Sequence, residues 1–297
     1  MHISKSIILL TLIIIIGAAI AAGIGLFLED GGRSYLFSTL RGQTVKIYGQ
    51  GLYQYDTLFF AAGYKGQDTV VLFLGIPLLL ISVILYWRGS IRGQLLLTGI
   101  LGYFLYVYSS MALGAAYNRL FLLYIIIFSS SLFAFIRIFS SFRVEPISAC
   151  IKGGLPRQSL SVFMIAAGFV TLFVWGSPLL EALLRNAPPD RLDSYTTMVT
   201  FALDLAIITP ATFLCGIYVI RSNPWGYVMA APLLTLVILL APQIILSTIF
   251  QKSAGVALTT GEMSGPVAGF VLLGLIAFWL FIAILRALPI PPDRSNS

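Results

Sequence analysis

The sequence predicts an all-α integral membrane protein: a bundle of about eight transmembrane helices in a single membrane domain, residues 1–297, with an aromatic outer loop after the first helix. Three observations carry this expectation. Apolar residues make up 59% of the 297 and charged ones only 10%, against about 25% charged in ordinary soluble domains. The mean hydropathy is +0.97. Nearly uncharged apolar runs recur from end to end, each close to the ~20 residues that cross a bilayer as a helix.

The first span, 7–28, follows Lys5 and is longer than the ~7–15-residue core of a secretory signal. It is therefore expected to stay uncleaved, although Ala19-Ile20-Ala21 has the composition of a cleavage site. The outer segment, 29–68, is the sizeable stretch outside the bilayer. Gln43–Tyr48 alternates like a short strand, and Gly49-Gln50-Gly51 breaks it. Asp56 stands where an N-cap of a short helix belongs, and Asp68 where a carboxylate would meet the positive end of the second span. The aromatics Tyr48, Tyr53, Tyr55, Phe59, Phe60 and Tyr64 fit this segment to the bilayer interface or to covering the bundle.

The second and third spans, 69–87 and 95–117, are joined through Arg88-Gly89 and Arg92-Gly93 as a tight basic hairpin. The rest are expected at 120–142, 159–182, 197–220, 227–250 and 266–288. Pro77, Pro210, Pro232 and Pro242 fall inside spans, and each frees a backbone carbonyl that needs another partner or a kink. Tyr86-Trp-Arg88 with Gly93, and Tyr218-Val-Ile-Arg221 with Gly226, match closely enough to admit two parallel four-helix repeats about an axis along the membrane normal.

Charge sets the orientation. Lys5, Arg88, Arg92, Arg137, Arg143, Lys152, Arg157, Arg221, Arg286 and Arg294 fall on one side, with Glu145 and Asp293 as the accompanying acids. The other side mixes Arg33, Arg41, Lys46, Lys65, Arg119, Arg185, Arg191 and Lys252 with most of the acids. The short-loop Lys/Arg excess makes both termini cytoplasmic in a multi-pass cell-membrane protein. The net charge of +7 is accordingly topological, and no nucleic-acid partner is expected.

Several chemistries are excluded. His2 is the sole histidine, and Cys150 and Cys215 form no Cys-x-x-Cys pair. A single chain therefore offers no bis-histidine haem site, no histidine-containing zinc site and no Ser-His or Cys-His pair. No cofactor, metal site or catalytic residue is assigned.

The motifs Gly-Leu-Tyr-x-x-Asp-Thr (51–57), Arg-Gly-Ser-x-Arg-Gly-x-Leu-Leu (88–96), Tyr-Phe-Leu-Tyr-x-Tyr (103–108) and Gly-Ala-Ala-Tyr-Asn-x-Leu-Phe-Leu-Leu-Tyr (114–124), with Pro224-Trp-Gly-Tyr227, are the chain's most distinctive. In them it resembles an uncharacterised family of multi-spanning prokaryotic membrane proteins. That resemblance implies the membrane bundle and transfers no activity.

Candidate site residues come from polarity placed within spans. Gly99, Tyr103, Tyr106, Ser110, Gly114 and Tyr117 follow at helical spacing and put hydroxyls and glycines on one face of the third span. Tyr117-Asn118 continues it at the turn. Asp204 reads as the one acid set well inside a span, where a carboxylate is costly unless paired, protonated or hydrated. Arg119, Arg185 or Arg191 would be its cationic partner. Gln243 follows Pro242 in the seventh span. Tyr103, Tyr106, Ser110, Tyr117, Asn118, Asp204 and Gln243 are thus the ligand-binding candidates, with Asp56 and Asp68 in the outer segment. The expected function is binding or transport of a small hydrophobic or amphipathic molecule within the bundle, with the lipid bilayer as constant partner. The alternatives are a non-catalytic accessory or structural membrane subunit and, third, a lipid-acting enzyme. The same face also reads as a packing surface between helices.

Overall fold

A computed structural model describes residues 3–151, 155–190 and 192–288; His2, Lys152, Arg191, Asp293 and Arg294, named above, lie outside the described residues. Among them, eight helices are long and apolar enough to cross a membrane: α1 (Lys5–Phe27), α2 (Leu58–Trp87), α3 (Ile91–Gly114), α4 (Phe121–Ser140), α6 (Arg157–Arg185), α7 (Val199–Ile220), α8 (Pro224–Ser253) and α9 (Thr260–Ala287). The short α5 (Glu145–Ile151) lies between α4 and α6. After α1 comes an antiparallel hairpin, β1 (Tyr35–Ser38) and β2 (Thr44–Ile47), with Tyr35 opposite Ile47. This is an all-helical multi-pass membrane bundle.

The main departure from the sequence expectation is at the second span. It begins at Leu58, runs unbroken for 30 residues, and is preceded by Thr57, not Asp56, at the N-cap. Asp68 is therefore not a cap but a buried residue within the helix. Residues 58–68 include Lys65, Gln67, Asp68 and glycines, so their polarity hides a span. They are helical because they pack: a β-carbon on Gly66 would collide with Ser247 of α8, whose hydroxyl donates to the Gly63 carbonyl at 2.9 Å. The third span likewise ends at Gly114, leaving Tyr117 beyond it.

Two cores fill the bundle. One gathers Ile14, Tyr86, Phe104, Tyr108 and Ile127 from α1 to α4; the other gathers Leu160, Cys215, Tyr227 and Leu280 from α6 to α9. Between them stands α3, buried over 78% of its most apolar stretch, against 28% for α6 and for α9. Arg92 at the start of α3 donates from Nε to the Leu288 carbonyl at 3.1 Å. A cation there satisfies a carbonyl that the end of α9 leaves free.

The two halves match in detail along α2–α3 and α7–α8. One constant shift in residue number carries the wide π-helical turn Val71–Gly75 onto a second, Asp204–Ile208. The same shift carries Pro77 onto Pro210, Arg88 onto Arg221, the N-cap Ser90 onto the N-cap Asn223, and Gly93 onto Gly226. Gly89 and Ser222, also equivalent, both take a left-handed backbone, at φ 79° and 57°. A β-carbon on Gly93 would stand 2.5 Å from the Leu85 carbonyl carbon, and one on Gly226 2.7 Å from the amide of Val219, so each glycine lets a hairpin close. The prolines follow wide turns in both copies: a π turn spreads the backbone where proline removes a helical donor and crowds the preceding carbonyl.

Candidate functional site

Where α3, α4, α7 and α8 meet, they leave a cavity of about 460 Å³, walled on α3 by Gly102, Leu105, Tyr106, Ser109 and Leu113. From α4 come Phe128, Leu132, Phe135 and Phe139; Leu203, Ile207, Ile208 and Ala211 line it from α7, and Met229, Pro232, Leu233 and Leu236 from α8. Its walls are almost entirely carbon. At the corresponding place in the first half, Gly75, the counterpart of Ile208, packs against the rings of Tyr103 and Phe104.

Asp204 opens the π turn of α7 and is buried immediately behind this wall. The Tyr106 hydroxyl and the Trp175 indole N–H are the donors that stand nearest to it. Among the described residues no cation pairs with it. Arg185 is engaged elsewhere, with Glu181 at 3.1 Å and Asp190 at 3.5 Å. Arg119 is exposed, and Arg191 lies outside the described residues. The expected arginine partner is therefore replaced by neutral donors, which stabilise a carboxylate without a second buried charge. Tyr106 connects the two features, since its ring lines the cavity while its hydroxyl meets Asp204.

The remaining candidates separate. Ser110 is buried with its hydroxyl unpartnered and does not line the cavity; Ser109 does, but its hydroxyl is spent on the Tyr106 carbonyl at 2.9 Å. Tyr103 donates to Gln243 Oε1 at 3.1 Å, and Gln243 Nε2 donates to Gln67 at 3.3 Å. Gln251 extends this polar seam by donating to the Phe59 carbonyl at 3.1 Å. Tyr117 is 75% exposed. Asn118 serves the turn before α4, accepting from the Leu120 amide at 2.9 Å.

Asp68 and Asp56 mark a second polar region, toward the hairpin. Tyr53 donates to Asp68 Oδ2 at 2.5 Å, and Gly25 of α1 packs directly on that carboxylate. Asp204 is therefore not the one acid buried in a span. Asp56 Oδ1 accepts from the Ala116 amide at 2.8 Å and from the Tyr195 hydroxyl at 2.6 Å, while its other oxygen is buried without a partner. Burial outweighs these donors and pushes the Asp56 pKa up to about 6. Nearby, Thr57 donates to Asp193 Oδ2 at 3.0 Å, and Arg41 donates to the carbonyls of Asp193 and Tyr195 at 2.6 and 2.8 Å. The hairpin region and the loop before α7 are thereby clasped together.

As hydrogen-bonding partners, Trp175, Tyr53, Gln67 and Tyr195 were not singled out in the sequence. A tryptophan or glutamine inside a span needs a hydrogen-bond partner, which was the available signal for Trp175 and Gln67. Tyr53 and Tyr195 sit in loops, and nothing in their local sequence shows which acid they meet. Among the described residues, no three His, Cys, Asp or Glu side chains converge.

Fold and site together define a multi-pass membrane protein with a lateral apolar cavity backed by a buried carboxylate. Comparison with protein-family models, curated proteins and solved structures finds no match.

Proposed function

We propose that the bundle binds, or carries across the membrane, a small hydrophobic or amphipathic molecule seated in the cavity between α3, α4, α7 and α8. The observation that supports this most is the cavity itself: about 460 Å³ of apolar space, within the ~300–1,000 Å³ of small-molecule sites. Phe128, Leu132 and Phe135 suit the apolar body of such a ligand, and Tyr106, with Asp204 behind it, suits its polar end. In this reading the protein sits in the cell membrane with both termini cytoplasmic. Lys5, Arg88, Arg92, Arg143, Arg157, Arg221 and Arg286 gather at the end of the bundle opposite the hairpin, as the positive-inside rule requires.

The test is native mass spectrometry of the purified protein, comparing wild type with Ala211→Trp, which puts an indole into the cavity. Wild type should release a small hydrophobic molecule that the folded variant lacks. Equal retention by both, or no bound molecule in wild type across detergents, would remove the ligand reading and leave an accessory subunit.

A further inference from the structure

We infer that a second pocket, at the hairpin end of α2 and α8, binds a phosphate-bearing anionic group through Arg33 and Lys65. This pocket has a volume of about 570 Å³ and is separate from the apolar cavity. Arg33, Ser34 and Gln50 supply its polar side, Lys65 rises from α2, and Leu58 and Phe250 give it an apolar flank.

Lys65 lies seven residues into α2, roughly 10 Å from its start at 1.5 Å per residue. A lysine so far along a span is costly without a compensating partner. Its neighbours compensate it weakly. The ammonium stands 5.6 Å from the centre of the Tyr48 ring. Asp68, one turn on, is hydrogen-bonded by Tyr53 and feels the Lys65 charge, but no salt-bridge contact joins the two. Arg33 has no carboxylate partner among the described residues either. Arg41 at this end holds the Asp193 and Tyr195 carbonyls, and Lys46 on β2 does not line the pocket.

The backbone around Arg33 is pinned. A side chain on Gly49 would strike the Arg33 carbonyl, one on Gly32 would strike the Gly49 carbonyl, and Gly49 sits at φ 77°. Asp30 Oδ1 accepts from the Gly51 amide at 2.7 Å, tying the segments before β1 and after β2 together. Three carbonyls in the last turn of α8 accept hydrogen bonds: the amides of Ala254, Gly255 and Val256 donate to Phe250, Lys252 and Gln251 at 2.9, 3.1 and 3.0 Å. Two cations without a salt bridge among the described residues, Arg33 on the pinned segment and Lys65 on α2, beside an apolar flank, match a phosphate whose remainder is hydrocarbon or whose counter-surface is water.

Two sources carry that chemistry, a phospholipid headgroup and a free phosphate, and the experiment separates them. Full-length protein is purified after exposure to mixed phosphatidylglycerol and phosphatidylcholine, and retained lipids are counted by native mass spectrometry; in parallel, inorganic phosphate is titrated against thermal stability. Each basic contact at a membrane surface contributes enough that removing both should lower phosphatidylglycerol retention about tenfold or more. The comparison set is Arg33→Gln with Lys65→Met, the charge-conserving Lys65→Arg, and Lys46→Gln as an exposed cation outside the pocket. Retention lost only in the double variant and kept in Lys65→Arg establishes a lipid headgroup site. Stabilisation by phosphate in wild type alone, without selective lipid retention, establishes a free-anion site. Equal losses in Lys46→Gln, or no selectivity in wild type for either probe, overturn the proposal; if the double variant does not fold, Arg33→Gln alone is read in its place, and retention equal to wild type in it also overturns the proposal.

Discussion

Gly102 of α3 and Pro232 of α8 face each other so closely that a β-carbon on the glycine would stand 2.6 Å from the proline ring. The shift relating the two halves converts this pair into Thr235 and Gly99, and these also touch. Such exchange of partners is what a two-fold axis between equivalent helices produces. The axis runs between α3 and α8, which cross the membrane in the same direction, as parallel repeats require.

Closeness at that crossing makes the first prediction. Gly102→Leu forces a branched side chain into proline and should cost about 1–3 kcal/mol through overpacking. Leu122→Ala, at a position 73% exposed on α4, should cost much less. Thermal melting in one detergent checks both. Equal small losses would mean that α3 and α8 are not in close contact there.

Orientation is tested from the two ends of the bundle. With Cys150 and Cys215 changed to serine, Leu40→Cys in the hairpin turn should react with a membrane-impermeant maleimide in intact cells. Asn223→Cys, in the α7–α8 turn, should react only after permeabilisation. The reverse pattern would invert the topology and move the basic pocket to the cytoplasmic side.

Most of the fold is legible in the sequence because helix length and apolarity decide it: every span was recognisable, and most ends differ by a few residues. The exception is the second span, whose opening turns carry Lys65, Gln67 and Asp68. Their helicity depends on Ser247, Gln243 and Gln251, far along the chain, and no local pattern reveals partners at that separation. The same limit governs the site. The unusual placement of Asp204 was readable, but its donors come from α3 and α6, and the π turn that aims it inward has no signature beyond the proline that follows. The duplication was visible at Arg88/Arg221 and Gly93/Gly226; the matching π turns make it specific.

A pH dependence follows from Asp56, which lies outside the spans. Its pKa is near 6 in the fold and 3.8 without it, so between about pH 4 and 6 the unfolded chain loses the proton first. Stability contributed by the protonated form is therefore fully present below about pH 4 and declines until about pH 6. Two units correspond to ~3 kcal/mol at most. Asp56→Asn keeps an acceptor for the Ala116 amide and the Tyr195 hydroxyl and cannot ionise. Its stability, relative to wild type, should rise across that interval. A parallel pH profile for the two proteins would show that Asp56 is ionised and well solvated.

The last prediction concerns Asp204 and Tyr106. Because the carboxylate is met by Tyr106 and Trp175 and by no cation, neutralising it strands no opposite charge, and the ~3–5 kcal/mol cost of breaking a buried ion pair does not apply. Asp204→Asn keeps the shape and an acceptor oxygen, so its loss of stability should stay within about 1 kcal/mol. Tyr106→Phe removes one donor while keeping the ring on the cavity wall; it should cost about 1–3 kcal/mol through the less satisfied carboxylate. Their effects on binding discriminate further. If Asp204 changes protonation during a cycle, Asp204→Asn should retain the cavity ligand but lose the dependence of its affinity on pH, whereas Tyr106→Phe should keep that dependence with weaker affinity. Ligand affinity measured at three pH values on both variants, beside their melting temperatures, decides the matter. A large stability loss in Asp204→Asn with an unchanged pH profile would assign the carboxylate to the scaffold and leave Tyr106 as the cavity's polar contact.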